Sequence, residues 1–131
     1  MDDNELYERG LKLRIDMFGR EAVDKRRNAF GDFGKPLQHI ITAYASGDVW
    51  QRSALPPGVK SLAMVAMMAA AGHPNELRVH LKGALKNGCT SEEIREILLL
   101  VALYCGIPSA NEAHKAAVEV LREATPSGAG S

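Results

Sequence analysis

The segment from Leu62 to Ala71 constrains the fold of this chain more than any other feature. It contains only alanine, methionine, leucine and valine, so a helix formed by these residues is apolar on every side. A helix of this kind must be buried all round. A second helical pattern, from Ile97 to Leu103, is again apolar round most of its circumference. We therefore expect a fold in which two helices need apolar neighbours on every side.

Helical spacing runs through most of the remaining sequence, and no stretch alternates between apolar and polar residues. The chain is therefore predicted to be all-α. Glycine and proline divide the helical patterns, because glycine ends helices and proline opens them. The first helix is expected to be capped by Asp3 or Asn4 and to end at Gly19. Further helices are predicted from Arg20 to Asn28, from Pro36 to Gly47, from Pro56 and Pro57 to Gly72, from Pro74 to Asn87, from a Thr90–Glu93 capping box to Gly106, and from Pro108 to Glu123.

The length of one connection and the length of the whole chain limit how these helices can be organised. Only a few residues join the helix ending at Gly72 to the helix beginning at Pro74, so the two are expected to form an antiparallel helical hairpin. With 131 residues, the chain can bury one core. We predict a single domain over residues 1–124 and a flexible tail over residues 125–131. A chain this short cannot easily enclose two helices that are apolar all round, so a homo-oligomer is expected.

The charge balance argues against polyanionic partners. Lys plus Arg and Asp plus Glu both number 16, so neither nucleic acid nor an anionic membrane is an expected partner. No run approaches the roughly 20 apolar residues that span a bilayer, and the N-terminus is acidic, unlike a secretory signal. We expect a cytoplasmic protein. Cys89 and Cys105 lack redox or zinc-ligand spacing and are predicted to be reduced, packed thiols.

Glu76 and His80 form the most suggestive pair of chemically active side chains. Their spacing of four places both on one face of a helix, and Gly83 continues that face. A carboxylate beside an imidazole fixes its tautomer and raises its pKa, which makes a better general acid near neutral pH. The alternative is a surface pair without chemistry. The other three histidines lack the spacing of a metal-binding motif, and no metal site is expected.

Candidate ligand-binding residues lie on either side of the pair Pro56-Pro57. Trp50 and Arg52 offer a flat apolar wall and a fixed cation, which suit a small carboxylated ligand. The alternative is a tryptophan that fills the core beside a solvated arginine. Lys60 is a second candidate cation or a solvated lysine at a helix end, and Tyr104 is a candidate hydrogen-bond donor or a helix-end residue.

The longer motifs resemble one known family. Residues 50–113, from WQRSALPPG to IPSANEA, are similar to the carboxymuconolactone decarboxylase family. The most specific pieces are ELRVHLKGALKNG, TSEEIREILL and YCGIPSANEA. Upstream, GLKLRIDMFGREAVDK and ITAYASGDVW resemble the N-terminal arm of that family, so the resemblance covers about residues 10–120.

The resemblance implies an alkylhydroperoxidase D-like helical fold that assembles into trimers or hexamers and works without metal or organic cofactor. Peroxidases of the same superfamily use C-x-x-C followed by a histidine, whereas this chain has His73 and Glu76 at the matching positions before His80. Peroxidase activity is therefore not expected. Ser46 and Lys60 depart from the family pattern, which leaves the lactone substrate open.

The resemblance also implies a reaction, the decarboxylation of 4-carboxymuconolactone to 3-oxoadipate enol-lactone in the catabolism of aromatic acids. Under this hypothesis His80 delivers a proton and Glu76 orients His80. The expected substrate-binding residues are Arg52, Trp50, Lys60 and Tyr104. The alternative is a non-catalytic or substrate-diverged helical assembly protein of the same family.

Overall fold

The computed structural model describes residues 1–124, and the predicted tail over residues 125–131 lies outside the described residues. Every regular element of residues 1–124 is helical, which confirms the prediction of an all-α protein. No helix in this part of the chain is long and apolar enough to cross a membrane. The α-helices are α1 (Asp3–Phe18), α2 (Arg20–Arg27), α3 (Lys35–Ile40), α4 (Pro57–Ala71), α5 (Pro74–Lys86), α6 (Ser91–Cys105) and α7 (Ile107–Ala124). Short 3-10 helices cover Gly31–Gly34 and Val49–Gln51, and a π-helix covers Ile41–Ser46.

The chain forms two compact units, one from Met1 to Leu55 and one from Pro56 onward. The first unit contains α1, α2, α3, the π-helix and both 3-10 helices, and the second contains α4 to α7. The expectation of a single domain over residues 1–124 stays a prediction.

The core of the second unit is built by four helices. Helix α4 packs against α5, α6 and α7, and α5 and α6 each pack against α7. Alanine at many of the core positions allows these helices to approach closely. The buried apolar residues are Val65, Ala69, Leu77, Leu81, Ala84, Cys89, Ile94, Leu98, Val101, Ala113, Ala116, Ala117 and Val120.

Neither of the two strongly apolar helices is buried all round within one chain. Met67 of α4 is 51% exposed, and Leu103 of α6 is 75% exposed. The expectation of burial on every side is therefore wrong for the single chain, because a domain of this size keeps a large share of its surface exposed. Subunit association, which was expected for the same reason, stays a prediction.

The second unit follows its local capping signals. Thr90 and Glu93 form the predicted capping box at the start of α6, with Thr90 Oγ1 accepting from the Glu93 N–H at 3.1 Å and Glu93 Oε1 accepting from the Thr90 N–H at 2.8 Å. Helix α4 ends at Ala71 and is followed by Gly72, which has the left-handed φ of +74° that favours glycine. These contacts fix where α4 ends and α6 begins.

The cap of α1 differs from the prediction by one residue. Asp2, rather than Asp3 or Asn4, accepts a hydrogen bond from the N–H of Glu5 at 2.8 Å. Asp2 has the extended backbone that a capping residue requires, whereas Asp3 is already helical. The helix ends before Gly19, as predicted.

The helix predicted from Pro36 to Gly47 changes its hydrogen bonding halfway. Helix α3 ends at Ile40, and a π-helix continues to Ser46, where the N–H of Gly47 donates to the carbonyl of Thr42 at 2.9 Å. The predicted continuous α-helix is therefore wrong after Ile40. Single π-turns inserted into helices redirect the residues that follow, and they are frequent near functional sites.

Contacts with α1 hold the π-helix in place. Gly10 of α1 lies against the carbonyl of Thr42, so close that a Cβ at position 10 would overlap with it. One turn later on α1, Arg14 is 7% exposed and donates to Thr42 Oγ1 at 2.8 Å and to Gln38 Oε1 at 3.2 Å. Burial of the guanidinium lowers the pKa of Arg14. The first unit is thus organised round a close contact between α1 and the π-helix.

Candidate functional site

Helix α5 carries the two residues predicted to act on a substrate. It begins at Pro74, whose fixed φ and missing N–H suit the first helical turn. Leu77 and Leu81, which are 2% and 1% exposed, bury one side of the helix in the core. Arg78 ties another side to α7, donating to Glu119 Oε2 at 3.0 Å from Nε and 2.8 Å from Nη2. The rotation of α5 about its axis is therefore fixed from two sides.

Glu76 and His80 lie on a third side of α5. Glu76 is exposed in the first turn, and His80 is half-buried one turn later. Residues four apart on a helix are neighbours, so the two side chains share one face. Gly83, which continues this pattern, is buried. The catalytic roles of Glu76 and His80 stay a prediction.

The other two predicted site residues of the second unit lie on different helices. Lys60 is half-buried in the first turn of α4. The adjacent Ser61 is 1% exposed, and its Oγ accepts a hydrogen bond from Asn87 Nδ2 at 2.9 Å, which ties the start of α4 to the end of α5. Tyr104 lies near the end of α6 and is 81% exposed. The backbone at Lys60 is therefore well fixed, whereas the Tyr104 side chain extends from the surface.

Trp50 and Arg52 belong to the first unit. Trp50 is half-buried in the 3-10 helix Val49–Gln51. Arg52 follows this helix and forms a forked ion pair with Asp48, at 3.2 Å from Nε to Oδ1 and 3.3 Å from Nη2 to Oδ2. Hydrogen bonding to Asp48, together with its charge, raises the pKa of Arg52 above its ordinary value. The cation predicted to bind a carboxylate thus forms an ion pair with Asp48, an acidic partner that was not predicted.

A cavity of about 330 Å³ lies in the second unit, between the end of α4 and the beginnings of α5 and α7. It is distinct from the face of α5 that carries Glu76 and His80, and neither of these residues lines it. Its walls are largely apolar, with an imidazole, a hydroxyl and a carboxylate among them. The lining residues are Met68, Ala69, Gly72, His73, Pro74, Leu77, Pro108, Ser109, Glu112 and Ala113.

A polar cluster in the first unit was not predicted. His39 Nε2 lies 3.0 Å from Asp3 Oδ1, the Tyr44 hydroxyl donates to the same oxygen at 2.7 Å, and the His39 ring stacks on Tyr7 with 5.4 Å between centroids. Hydrogen bonds with His39 and Tyr44 lower the pKa of Asp3, and the bond to Asp3 raises the pKa of Tyr44. Asp3 and His39 are 36 residues apart in sequence, so no local spacing signals this contact.

The two cysteines occupy different environments. Cys89 is buried, its Sγ donates to the carbonyl of Gly58 at 3.4 Å, and burial raises the pKa of the thiol. It is the packed thiol that was predicted. Cys105 is exposed at the end of α6, so the prediction of packing is wrong for this residue. Within residues 1–124, no group of three or more His, Cys, Asp or Glu side chains is arranged to hold a metal ion.

Comparison with known proteins gives consistent matches along most of the chain. Residues 35–119 match the Carboxymuconolactone decarboxylase family. Over 123 residues, the chain is 36% identical to 4-carboxymuconolactone decarboxylase of Acinetobacter baylyi, covering 94% of this chain and 92% of that protein. Over 108 residues, it is 40% identical to nitrosuccinic acid decarboxylase npaB of Metarhizium robertsii, covering 82% of this chain and 76% of that protein.

Proposed function

Because the chain belongs to the carboxymuconolactone decarboxylase family, we propose that it decarboxylates 4-carboxymuconolactone, or a closely related lactone carboxylate, to 3-oxoadipate enol-lactone without a cofactor, in the catabolism of aromatic acids. Both relatives are decarboxylases by name, which confirms the prediction that the chain is an enzyme of the carboxy-lyase class. The observation that carries the substrate proposal is the identity to 4-carboxymuconolactone decarboxylase along nearly the whole length of both proteins.

The substrate itself supplies the electron sink for this reaction. The leaving carboxylate is attached to a carbon that is joined through a C=C bond to the lactone carbonyl. When the C–C bond to the carboxylate breaks, CO2 departs and the electron pair moves through the C=C bond onto the carbonyl oxygen. A proton then adds to the carbon next to the carbonyl. The protein has to bind a dianion, stabilise the developing oxyanion and deliver one proton.

The site residues are assigned to these tasks by their chemistry. His80 delivers the proton, and Glu76 on the same face of α5 orients the imidazole. Arg52 binds the carboxylate of the acetate arm. Trp50 provides an apolar wall for the leaving carboxylate. Lys60 and Tyr104 donate hydrogen bonds to the developing oxyanion.

A second candidate substrate is nitrosuccinate, which is favoured by the 40% identity to a protein named for its decarboxylation. In nitrosuccinate, the nitro group is placed to accept the electron pair that CO2 leaves behind. The protein would again bind a dianion, stabilise the developing negative charge and deliver a proton. The charge would develop on the nitro group instead of the lactone carbonyl oxygen. The departures at Ser46 and Lys60 fit a change of substrate within one family.

The enzyme is further proposed to assemble into a homo-oligomer, a trimer or a hexamer. Large apolar side chains extend from α6 and the start of α7 into solvent in the single chain. Exposed apolar patches of this kind mark interaction surfaces, because their burial in an interface removes them from water. The residues of this apolar surface are Leu99, Leu100, Leu103, Tyr104 and Ile107.

A direct assay tests the proposed reaction. Loss of the conjugation between C=C and C=O lowers the ultraviolet absorbance of 4-carboxymuconolactone, so enzyme and lactone are mixed and absorbance is followed. Nitrosuccinate is run in parallel, with CO2 release as a readout common to both substrates. Heat-denatured protein and the His80→Gln variant are the controls. The proposal fails if CO2 is not released from the lactone above the rate with denatured protein.

A further inference from the structure

Arg14 is a buried cation of the first unit that has no acidic partner. It is 7% exposed, and its Nη1 donates to Thr42 Oγ1 at 2.8 Å and to Gln38 Oε1 at 3.2 Å. Both acceptors are neutral, and no carboxylate among residues 1–124 forms an ion pair with Arg14. A buried charge is costly unless a counter-charge and hydrogen bonds compensate for it. The contacts of Nη1 satisfy only part of this guanidinium.

The other edge of the Arg14 guanidinium reaches the surface. No group within residues 1–124 accepts a hydrogen bond from Nε or Nη2 of Arg14, and no buried side-chain nitrogen in this part of the chain lacks a partner. Nε and Nη2 are therefore the atoms at which Arg14 touches solvent. They form the side-on edge of the guanidinium, whose two N–H groups match the two oxygens of a carboxylate. In the same chain, this edge of Arg52 binds both oxygens of Asp48.

Two further guanidinium groups lie near Arg14, both on α2. Arg27 is held by the Tyr7 hydroxyl, which accepts from Nη2 at 2.8 Å, and by Asp24 Oδ1, which accepts from Nη1 at 3.3 Å. Arg26 is exposed on the same helix. After burial, the positive charges of Arg26 and Arg27 are the next largest causes of the lowered pKa of Arg14. Three cations beside one carboxylate produce a positive potential that attracts an anion.

We propose that the side-on edge of Arg14 binds the carboxylate of a small organic anion, and that Arg26 and Arg27 add longer-range attraction. The inference goes beyond the proposed reaction and does not depend on it. Thr42 and Gln38 hold the guanidinium before the anion arrives, so little side-chain entropy is lost on binding. The bound carboxylate supplies the counter-charge of Arg14, so it stabilises the folded first unit.

A free anion and a carboxylate side chain of a second copy of this chain offer the same chemistry to this edge. The small exposed fraction of Arg14 favours the free anion, because a side chain on a folded surface brings neighbouring atoms that need room. The two sources differ in their consequences. A free anion binds to the protein in whatever assembly it forms, whereas a carboxylate of a second copy belongs to the assembly, and loss of Arg14 would then lower the mass.

The test is calorimetric titration of the 131-residue protein with succinate, at neutral pH and constant ionic strength. Wild type should bind succinate, and succinate should raise its melting temperature. Arg14→Gln should raise the Kd by about tenfold or more, because both charge-assisted hydrogen bonds are lost. Arg26→Gln, at an exposed position, should keep the fold and raise the Kd about two- to five-fold, because it removes only attraction. Arg26→Gln keeps the inference falsifiable if Arg14→Gln does not fold.

Two control variants separate this site from other cations of the first unit. Arg20→Gln removes the same charge from the exposed start of α2, and it should leave the Kd unchanged because Arg20 is not among the groups that shift the pKa of Arg14. Arg52→Ala, which removes the cation proposed to bind the lactone, should also leave the Kd of succinate unchanged. An equal loss of affinity in either control overturns the inference.

The remaining outcomes are equally decisive. The inference is overturned if wild type does not bind succinate, or if the Kd is unchanged in folded Arg14→Gln or in Arg26→Gln. Light scattering on Arg14→Gln identifies the source of the carboxylate. A mass equal to that of wild type supports a free anion. A smaller mass, together with no binding of succinate to wild type, assigns the edge to a carboxylate of a second copy and overturns the inference.

Discussion

Gly10 of α1 lies directly against the carbonyl oxygen of Thr42 in the π-helix, with no room between them for a side chain. Gly10 is buried and Thr42 is 0% exposed, so water does not separate the two backbones. The contact is made where the helix has changed from α to π hydrogen bonding. Close approach between α1 and the π-helix therefore depends on the absence of a Cβ at position 10.

Replacing Gly10 with alanine should destabilise the first unit. The new methyl group overlaps with backbone atoms, which cannot rotate away as a side chain does, so the expected loss in the free energy of unfolding is about 1–3 kcal/mol or more. Urea denaturation followed by circular dichroism measures it. Lys12→Ala, at an exposed position of the same helix, is the control and should change stability by no more than about 0.5 kcal/mol. Equal stability of the two variants would show that the contact is loose.

Much of the fold could be predicted because its signals are local. Proline at the first helical position marked the starts of α4 and α5, glycine after the last helical residue marked the end of α4, and a polar pair three residues apart marked the start of α6. The π-helix is different, because its hydrogen bonding suits a contact with α1 about thirty residues earlier in the chain. Periodicity in one segment contains no information about such a partner.

In the candidate site, too, some contacts could be predicted from local spacing and others could not. That Glu76 and His80 share a face follows from their spacing on one helix, and the structure provides that helix. The Asp48 partner of Arg52 was missed although it lies only four residues away, because no helix was predicted between Gly47 and Pro56 and helical spacing was therefore not expected there. The contact of Asp3 with His39 joins distant segments and had no local signal.

The Asp3 cluster should make stability depend on pH in acid. The pKa of Asp3 is lowered in the folded protein, so its contribution is present above the ordinary aspartate pKa of about 3.9 and is lost as pH falls through the lower folded value. The melting temperature of Asp3→Asn should therefore be lower than that of wild type near pH 7, and the difference should shrink below about pH 3.9. Asp16→Asn, at an exposed position of the same helix, is the control. A difference that persists unchanged to pH 2 would contradict this assignment.

The thiols should not take part in turnover. Cys89 is buried against the carbonyl of Gly58, and Cys105 is exposed at the end of α6. The double variant Cys89→Ala with Cys105→Ser should keep kcat within a factor of about three, with a modest loss of stability from the packing at Cys89. Lactone turnover and a thermal melt are measured together. A folded double variant without activity would show that a thiol takes part in the reaction.

The apolar surface on α6 should be needed for assembly. Leu103→Asp places a charge in the middle of this surface, and burying an unpaired charge in an interface is costly, so the oligomer should dissociate into smaller species. Size-exclusion chromatography with light scattering at micromolar concentration measures the mass. Asn75→Asp, which adds the same charge at an exposed position of α5, outside the apolar surface, should leave the assembly intact. A wild-type protein with the mass of one chain would contradict the proposal of a homo-oligomer.

His80 should determine the rate of the chemical step. His80→Gln keeps a side chain of similar size and polarity, so the fold should persist while kcat falls by roughly 10²–10⁴-fold, the usual contribution of a positioned general acid. The corresponding saturated lactone dicarboxylate lacks the C=C bond of the substrate and does not decarboxylate. Its binding should change little, because the proton is transferred after the substrate has bound. Thermal melts and calorimetric titrations accompany the kinetics, so that a loss of folding is distinguished from a loss of chemistry.

The pH dependence of turnover separates the roles of His80 and Glu76. A general acid must carry its proton, so kcat of wild type should fall at alkaline pH, and this falling limb should be absent from the residual activity of His80→Gln. Glu76→Gln should lower kcat less than His80→Gln and keep the falling limb, because the imidazole persists without the carboxylate that orients it. If His80→Gln retains near-normal turnover with its alkaline limb intact, the proton comes from another group. Lys60 and Tyr104 are then the donors to test, by Lys60→Met and Tyr104→Phe.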